Sequence, residues 1–254
     1  MYSAYVECIK KQFDLSPEQW YFKSDNSYKG ILEHVPPYMG SQYLEIIQRK
    51  FPEFYQSYSG MLAEFCNLND LYGKTSKTEY AGFANCSPSD LRYILHALLV
   101  LEDMKKYNLR EVDVIEIGGG YGGLCLFLHK LSPLYEIKIN SYGIFDLPEA
   151  SQLQKRYLRA LGLEVNIFQL DGDMSGIHTG SFLISNYAFS EISKDLQEKY
   201  INQVINPYTK FGFLAWNTCD VYHFVDNSII EKEIEYPQTS EGGSPNKFVR
   251  YFRY

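Results

Sequence analysis

The stretch DVIEIGGGYGGLCLFLHKL, Asp113 to Leu131, runs from an apolar segment through a cluster of glycines straight into a second apolar segment. Val112, Val114, Ile115 and Ile117 are β-branched, and an apolar run of this kind reads as a strand covered on both faces, as in a parallel sheet. The glycines permit a sharp turn and a close approach of the backbone to a neighbour. The segment from Gly122 to Leu131 has the composition of a buried helix. A strand that turns at once into a helix is the opening of a βαβ unit, and it commits the chain to an α/β fold.

The rest of the chain repeats the alternation. INSYGIF reads as a second strand, PEASQLQKRYLRALG as a helix with Leu153, Tyr157 and Leu161 on one face, VNIFQL as a third strand and SFLISNY as a fourth. Lys194 to Ile205 reads as a helix and FGFLAWN as a fifth strand. Helices between strands imply a parallel sheet covered on both sides. The tail differs: SIIEKEIEYP and NKFVRYFRY alternate apolar and polar residues across the turn-forming QTSEGGSPN, so an antiparallel hairpin is expected to close the sheet.

Upstream the pattern is helical with interruptions. Ser16 and Pro17 form a helix-start signature, SQYLEIIQRKF has helical spacing, and Pro36 and Pro37 break the chain between them. Asn69 to Cys86 is polar and aperiodic and reads as a loop or lid. SPSDLRYILHALLVLEDMKKY restarts a helix, with Ser87 as N-cap, Pro88 in the first turn and Asp90 completing a capping box. The expected organisation is a helical cap over residues 1–107 and an α/β domain over 108–254.

A net charge of -7 disfavours a polyanionic partner, because neutralising phosphates needs a surplus of Lys and Arg. No nucleic-acid partner is therefore expected. The five cysteines, Cys8, Cys66, Cys86, Cys125 and Cys219, are scattered and form no C-x-x-C pair, and MYSAYVECIKKQFDL lacks the features of a secretion signal. No segment reaches about 18 uninterrupted apolar residues. Together these lead to the expectation of a cytoplasmic protein with no membrane partner. The 23 tyrosines, many in the first eighty residues, suit either packing of the cap or stacking on a sugar ring.

The glycine turn matches two fingerprints. Gly118, Gly120 and Gly123 give G-x-G-x-x-G, that of dinucleotide enzymes; Glu116, Gly118, Gly120 and Gly122 give E-x-G-x-G-x-G, the first motif of S-adenosylmethionine (SAM) methyltransferases. A pyrophosphate at the helix N-terminus tolerates Glu116 poorly, whereas SAM has no phosphate. GIFDLPE places Asp146 at the tip of the second strand, where a carboxylate accepts from ribose hydroxyls in either ligand; it also suits the N-cap of the next helix. In QLDGDMSG, Asp173 or Asp171 suits the adenine amino group and Met174 the ring face. The Y-x-x-x-K pair of short-chain dehydrogenases is absent, and the closing hairpin replaces the parallel sixth strand of a dinucleotide fold.

EIGGGYGG, FDLPEASQLQKRYL, GDM and ISNYAFSEI, in this order and spacing, resemble the class I SAM-dependent methyltransferases. With YKGILEHV, GSQYLEII and LRYIL upstream, the chain is similar over most of its length to the sugar O-methyltransferase family. The resemblance implies a Rossmann-like methyltransferase domain with a seven-stranded, mostly parallel sheet, SAM as cofactor and a sugar or nucleotide-sugar substrate. It implies that Glu116, Gly118, Gly119, Gly120 and Tyr121 form the cofactor turn and that Asp146, with Leu147, holds the ribose. Asp173 and Met174 would flank the adenine, and Asn186 and Tyr187 would line the pocket. Plant-type small-molecule O-methyltransferases carry a histidine base after the fourth strand; SNYAFSE has none.

Two residues are candidates for the base that takes the acceptor proton. Glu191 lies five residues beyond Asn186 and equally suits the first turn of the next helix; His223 follows the fifth strand. His34, beside Glu33, reaches the acceptor if the cap folds over the mouth, and Tyr80, in the loop over 69–86, is a further candidate substrate residue. His96 and His129 lie in apolar helices and read as core, while His178 precedes the fourth strand. No metal is expected: no His, Cys and Asp cluster at ligand spacing occurs, and LDGD alone does not make a Mg²⁺ site.

Overall fold

A computed structural model describes residues 2–238 and 244–254. The first part of the chain forms α1 (Ser3–Lys10), α2 (Asn26–Lys29), α3 (Pro37–Lys50), α4 (Pro52–Asn69), a hairpin of β1 (Thr78–Tyr80) and β2 (Ala84–Cys86), and α5 (Pro88–Lys106). Strands and helices then alternate: β3 (Glu111–Ile117), α6 (Gly123–Leu131), β4 (Lys138–Phe145), α7 (Pro148–Ala160), β5 (Asn166–Phe168) and β6 (Ser181–Asn186). After these come α8 (Ala188–Glu191), α9 (Lys194–Tyr200), α10 (Asn206–Tyr208), β7 (Thr209–Trp216), β8 (Ser228–Ile234) and β9 (Lys247–Arg253).

The large sheet has seven strands in the order β5-β4-β3-β6-β7-β9-β8. The first five in chain order, β3 to β7, pair in parallel, and β9 is antiparallel to both β7 and β8. This is the Rossmann-like methyltransferase architecture, α/β with a closing antiparallel hairpin. The chain reverses its direction of travel across the sheet between β3 and β6, and the crevice at such a switch point is where ligands of open α/β sheets bind. Part of the turn expected in QTSEGGSPN, residues 239–243, lies outside the described residues.

Alternation along the strands builds two cores. Val112, Val114, Phe182, Ile184, Phe211, Phe213 and Ala215 face one cluster, which also takes α3, α5, α6 and α7. Ile115, Ile117, Leu183, Leu214 and Trp216 face the other, packed under Tyr200, Val204 and Ile205. The period of two in a strand is what sends neighbours to opposite faces. The first cluster runs without a break from Tyr5 to Phe248, through cap and sheet alike.

The helix α5 is buried along almost its whole length, because it lies between the sheet and the cap helices. A helix buried all round is normally apolar all round. Here Asp90, Arg92 and His96 are enclosed with it, and they must find partners.

Four local expectations are corrected. The loop over 69–86 contains the hairpin of β1 and β2, whose three-residue strands are too short to show a period. The helix expected after Ser16 is a single 3-10 turn, Pro17–Gln19. The helix from Lys194 to Ile205 changes to a π turn at Ile201. Asp90 does not complete a capping box; its carboxylate accepts from Asn69 Nδ2 at 2.6 Å, while the Ser87 hydroxyl caps the helix through Ser89 N–H.

Candidate active site

The turn after β3 is shaped by backbone conformations that side chains resist. Gly118 and Gly120 have φ of +76° and +61°, in the left-handed region. A Cβ on Gly118 would stand 2.1 Å from that of Ala188, and one on Gly120 would stand 3.0 Å from Leu32 Cδ1. The space that side chains would take at these two positions is filled by Ala188 of α8 and by Leu32 of the cap, and Gly120 is buried beneath Leu32.

Asp146, at the tip of β4, clasps this turn. Its Oδ2 accepts from Gly120 N–H at 3.1 Å and from Gln154 Nε2 at 2.7 Å, and the same Gln154 amide donates to Gly120 O at 2.8 Å. Its Oδ1 accepts from Leu147 N–H at 2.8 Å and, as a carboxylate oxygen, has capacity for a second donor. Burial pushes the carboxyl up to about 6, against the pull of the N–H groups that bond it. Leu147 itself is exposed and begins α7.

Glu116 and Tyr121 are in the motif but not at the mouth. Glu116 is 2% exposed, lies behind Gly119 and accepts from the Tyr142 hydroxyl at 2.9 Å. Burial pushes its carboxyl up to about 7. Tyr121 points into the cap: its hydroxyl accepts from Asn69 Nδ2 at 3.0 Å, and its ring lies edge-on to Tyr157 with the Lys23 ammonium 4.3 Å above it. These side chains fix the turn from below and from the cap.

Of the two acids after β5, Asp171 is engaged with Lys199 at 3.0 Å and Gln203 at 2.6 Å. Asp173 is exposed and accepts from the local Ser175 N–H at 2.9 Å, and Met174 is half-buried against the second core. At the end of β6, Tyr187 takes φ +66°, unusual for a bulky residue, and its hydroxyl donates to Glu235. Asn186 Nδ2 is 2.9 Å from His96 Nδ1, and His96 Nε2 is 3.6 Å from Glu235 Oε1. His96, which the sequence presents as core, is therefore enclosed but sits directly under the mouth.

Glu191 lies beside the mouth and accepts from Asn217 Nδ2 at 2.5 Å. Partial burial holds its carboxyl above the ordinary range. His223 is exposed on the segment after β7. His34 lines a cavity of about 260 Å³ in the cap, with Glu33, Lys23, Lys29 and Ser87. Tyr80 is corrected: it is buried, it fills the space left by Gly40, and its hydroxyl donates to Pro37 O at 3.4 Å. Tyr5, Tyr28 and Tyr93 are likewise buried packing residues.

Residues that sequence reasoning missed complete the mouth: Leu32, Tyr43, Arg92, His96, Gln154 and Glu235. The one available signal was the polar pair Arg92 and His96, four apart on a single face of an apolar helix. Among the described residues, one trio could hold a metal, Cys66, Cys86 and Asp90, buried together in the cap. The buried Lys23 ammonium already serves the acids there, Asp90, Asp70 and Glu33. All five cysteines are free thiols, and no described helix is long and apolar enough to cross a membrane.

No protein-family model matches the chain, and no curated protein matches its sequence. Solved structures do resemble it. One is an S-adenosylmethionine-dependent methyltransferase from Clostridium acetobutylicum, 14% identical, with 62% of this chain and 73% of that one covered at a TM-score of 0.38. A magnesium protoporphyrin IX methyltransferase from Synechocystis, solved with SAM bound, is 10% identical over 65% of this chain and 81% of its own, with a TM-score of 0.43. An amino pentose methyltransferase from Micromonospora echinaspora, also solved with SAM, is 10% identical over 56% and 57%, with a TM-score of 0.40.

Proposed function

We propose that this protein is a SAM-dependent O-methyltransferase acting on a hydroxyl of a sugar, either nucleotide-linked or within a glycan. The observation that carries the cofactor reading is the glycine turn Gly118 to Gly120, left-handed at both ends and clasped by Asp146, at the switch point of a sheet closed by an antiparallel strand. A spare acceptor on Asp146 suits a ribose hydroxyl, and Asp173 and Met174 stand at the next strand end for the adenine. The sugar acceptor rests on the sequence resemblance.

Bound at this turn, SAM supplies an electrophilic methyl group on a sulfonium, which an acceptor oxygen takes by in-line displacement. The chain's part is mainly to hold that oxygen about 3 Å away and in line. Asn186 and Tyr187 sit at the strand end where the acceptor enters, and the bond from Tyr187 to Glu235 fixes one wall. Glu191, held above its ordinary range by burial, is suited to take the hydroxyl proton as the new bond forms. Leu32 packs over Gly120 and shields that side of the turn from water.

Transfer of labelled methyl from SAM to a panel of nucleotide sugars tests the reading, together with thermal shifts in SAM, S-adenosylhomocysteine and NAD. Methyl transfer to at least one sugar is expected. Stabilisation by NAD alone would overturn the methyltransferase reading, and turnover only on non-sugar hydroxyls would overturn the sugar.

A further inference from the structure

Arg92 is 4% exposed, and among the described residues it makes no ion pair. Its Nη2 donates to Leu32 O at 3.1 Å, and its Nη1 is buried with no partner. The groups around it are the rings of Tyr93 and Tyr187, each 5.8 Å from the guanidinium carbon, the Tyr43 hydroxyl, and Glu33, which acts only through space. Rings at that distance lie at the outer limit of a cation-π contact. An enclosed guanidinium without a carboxylate is a costly arrangement, and Arg is the residue whose planar fork matches carboxylate and phosphate oxygens.

Its position is as informative as its lack of a partner. The residue whose carbonyl it binds, Leu32, is the one whose side chain lies against Gly120, and Tyr187 is the residue that directly follows β6. Two further buried polar atoms nearby lack partners, the Tyr43 hydroxyl and Asn186 Oδ1. The guanidinium therefore borders the same mouth, between the cofactor turn and the acceptor side, among groups left ready for a polar ligand.

We propose that Arg92 binds an anionic group, a carboxylate or phosphate, of a molecule held at this mouth. The proposal rests on the methyltransferase reading, which supplies two sources: the amino-acid carboxylate of SAM, and a phosphate or carboxylate of the acceptor. The anion takes Nη1 while Nη2 keeps the Leu32 carbonyl, so that binding the ligand and holding Leu32 over Gly120 are one event.

The test titrates wild type, Arg92→Gln and Arg92→Lys with S-adenosylhomocysteine, with its analogue lacking the carboxylate, and with UDP-glucose in the presence of S-adenosylhomocysteine. If the anion belongs to the cofactor, Arg92→Gln weakens S-adenosylhomocysteine at least tenfold and leaves the analogue unchanged. If it belongs to the acceptor, S-adenosylhomocysteine is unchanged and UDP-glucose binding falls at least tenfold. Arg92→Lys keeps the charge without the fork and is expected to lose less; should Arg92→Gln not fold, the same comparison is read on Arg92→Lys as a smaller loss of the same kind. Binding of all three probes within twofold of wild type overturns the proposal and leaves Arg92 a purely structural anchor for Leu32. Wild type failing to bind S-adenosylhomocysteine at all would instead overturn the methyltransferase reading.

Discussion

Replacing Glu116 with Gln isolates a buried charge at the base of the cofactor turn. The Glu116 carboxyl is enclosed behind Gly119, and burial raises it from its ordinary 4.5 to about 7, opposed by the bond from Tyr142. A carboxyl that holds its proton more tightly when folded stabilises the fold relative to its ionised form, and that advantage is lost as pH rises from 4.5 toward 7. At about 1.4 kcal/mol per pH unit the loss is about 3 kcal/mol, complete by pH 8. Gln cannot ionise, and its amide oxygen still accepts from Tyr142. The variant should therefore match wild type near pH 5 and exceed it by about 1–3 kcal/mol at pH 8, read from urea unfolding at both values. Its affinity for S-adenosylhomocysteine should stay within about threefold, because the side chain faces away from the mouth. A difference between variant and wild type that is the same at both pH values would refute the argument.

Asp146→Ala removes the clasp on Gly120 and the ribose acceptor, and should weaken S-adenosylhomocysteine at least tenfold by calorimetry, since a hydrogen bond to a charged group contributes about 1.5–3 kcal/mol. Glu191→Ala should lower turnover about a hundredfold with little change in cofactor affinity; full activity would remove Glu191 as the base. Gly118→Ala places a methyl 2.1 Å from the Ala188 methyl at a φ of +76°, so it should lower Tm by several degrees and abolish cofactor binding together. A Gly118→Ala enzyme with wild-type Tm and affinity would show that the turn yields more easily than its packing implies.

The sequence by itself determined the layered fold and the place of the glycine turn. Both are written in short-range signals: the alternation of strands and helices, the glycines after Ile117, and Asp146 at the end of the next strand, 26 residues from the Gly120 amide it binds. The shape of a βαβ unit follows from neighbours in the chain, and so does the position of its ligand crevice. The tertiary structure alone decided the rest of the mouth. Asn186 meets His96 across 90 residues and Tyr187 meets Glu235 across 48, and in the cap, away from the mouth, the Tyr157 hydroxyl joins the Asn69 amide across 88. No local pattern encodes such pairs. In the sequence Asp90 reads as part of a capping box, His96 as core and Tyr80 as a candidate substrate residue in a loop. Packing against Gly40 takes Tyr80 off the surface, and burying α5 pairs Asp90 with the Asn69 amide and His96 with the Asn186 amide, because a polar group taken out of water must be satisfied by whatever the fold brings to it; at Arg92 the fold brings one backbone carbonyl and no hydrogen-bonded carboxylate.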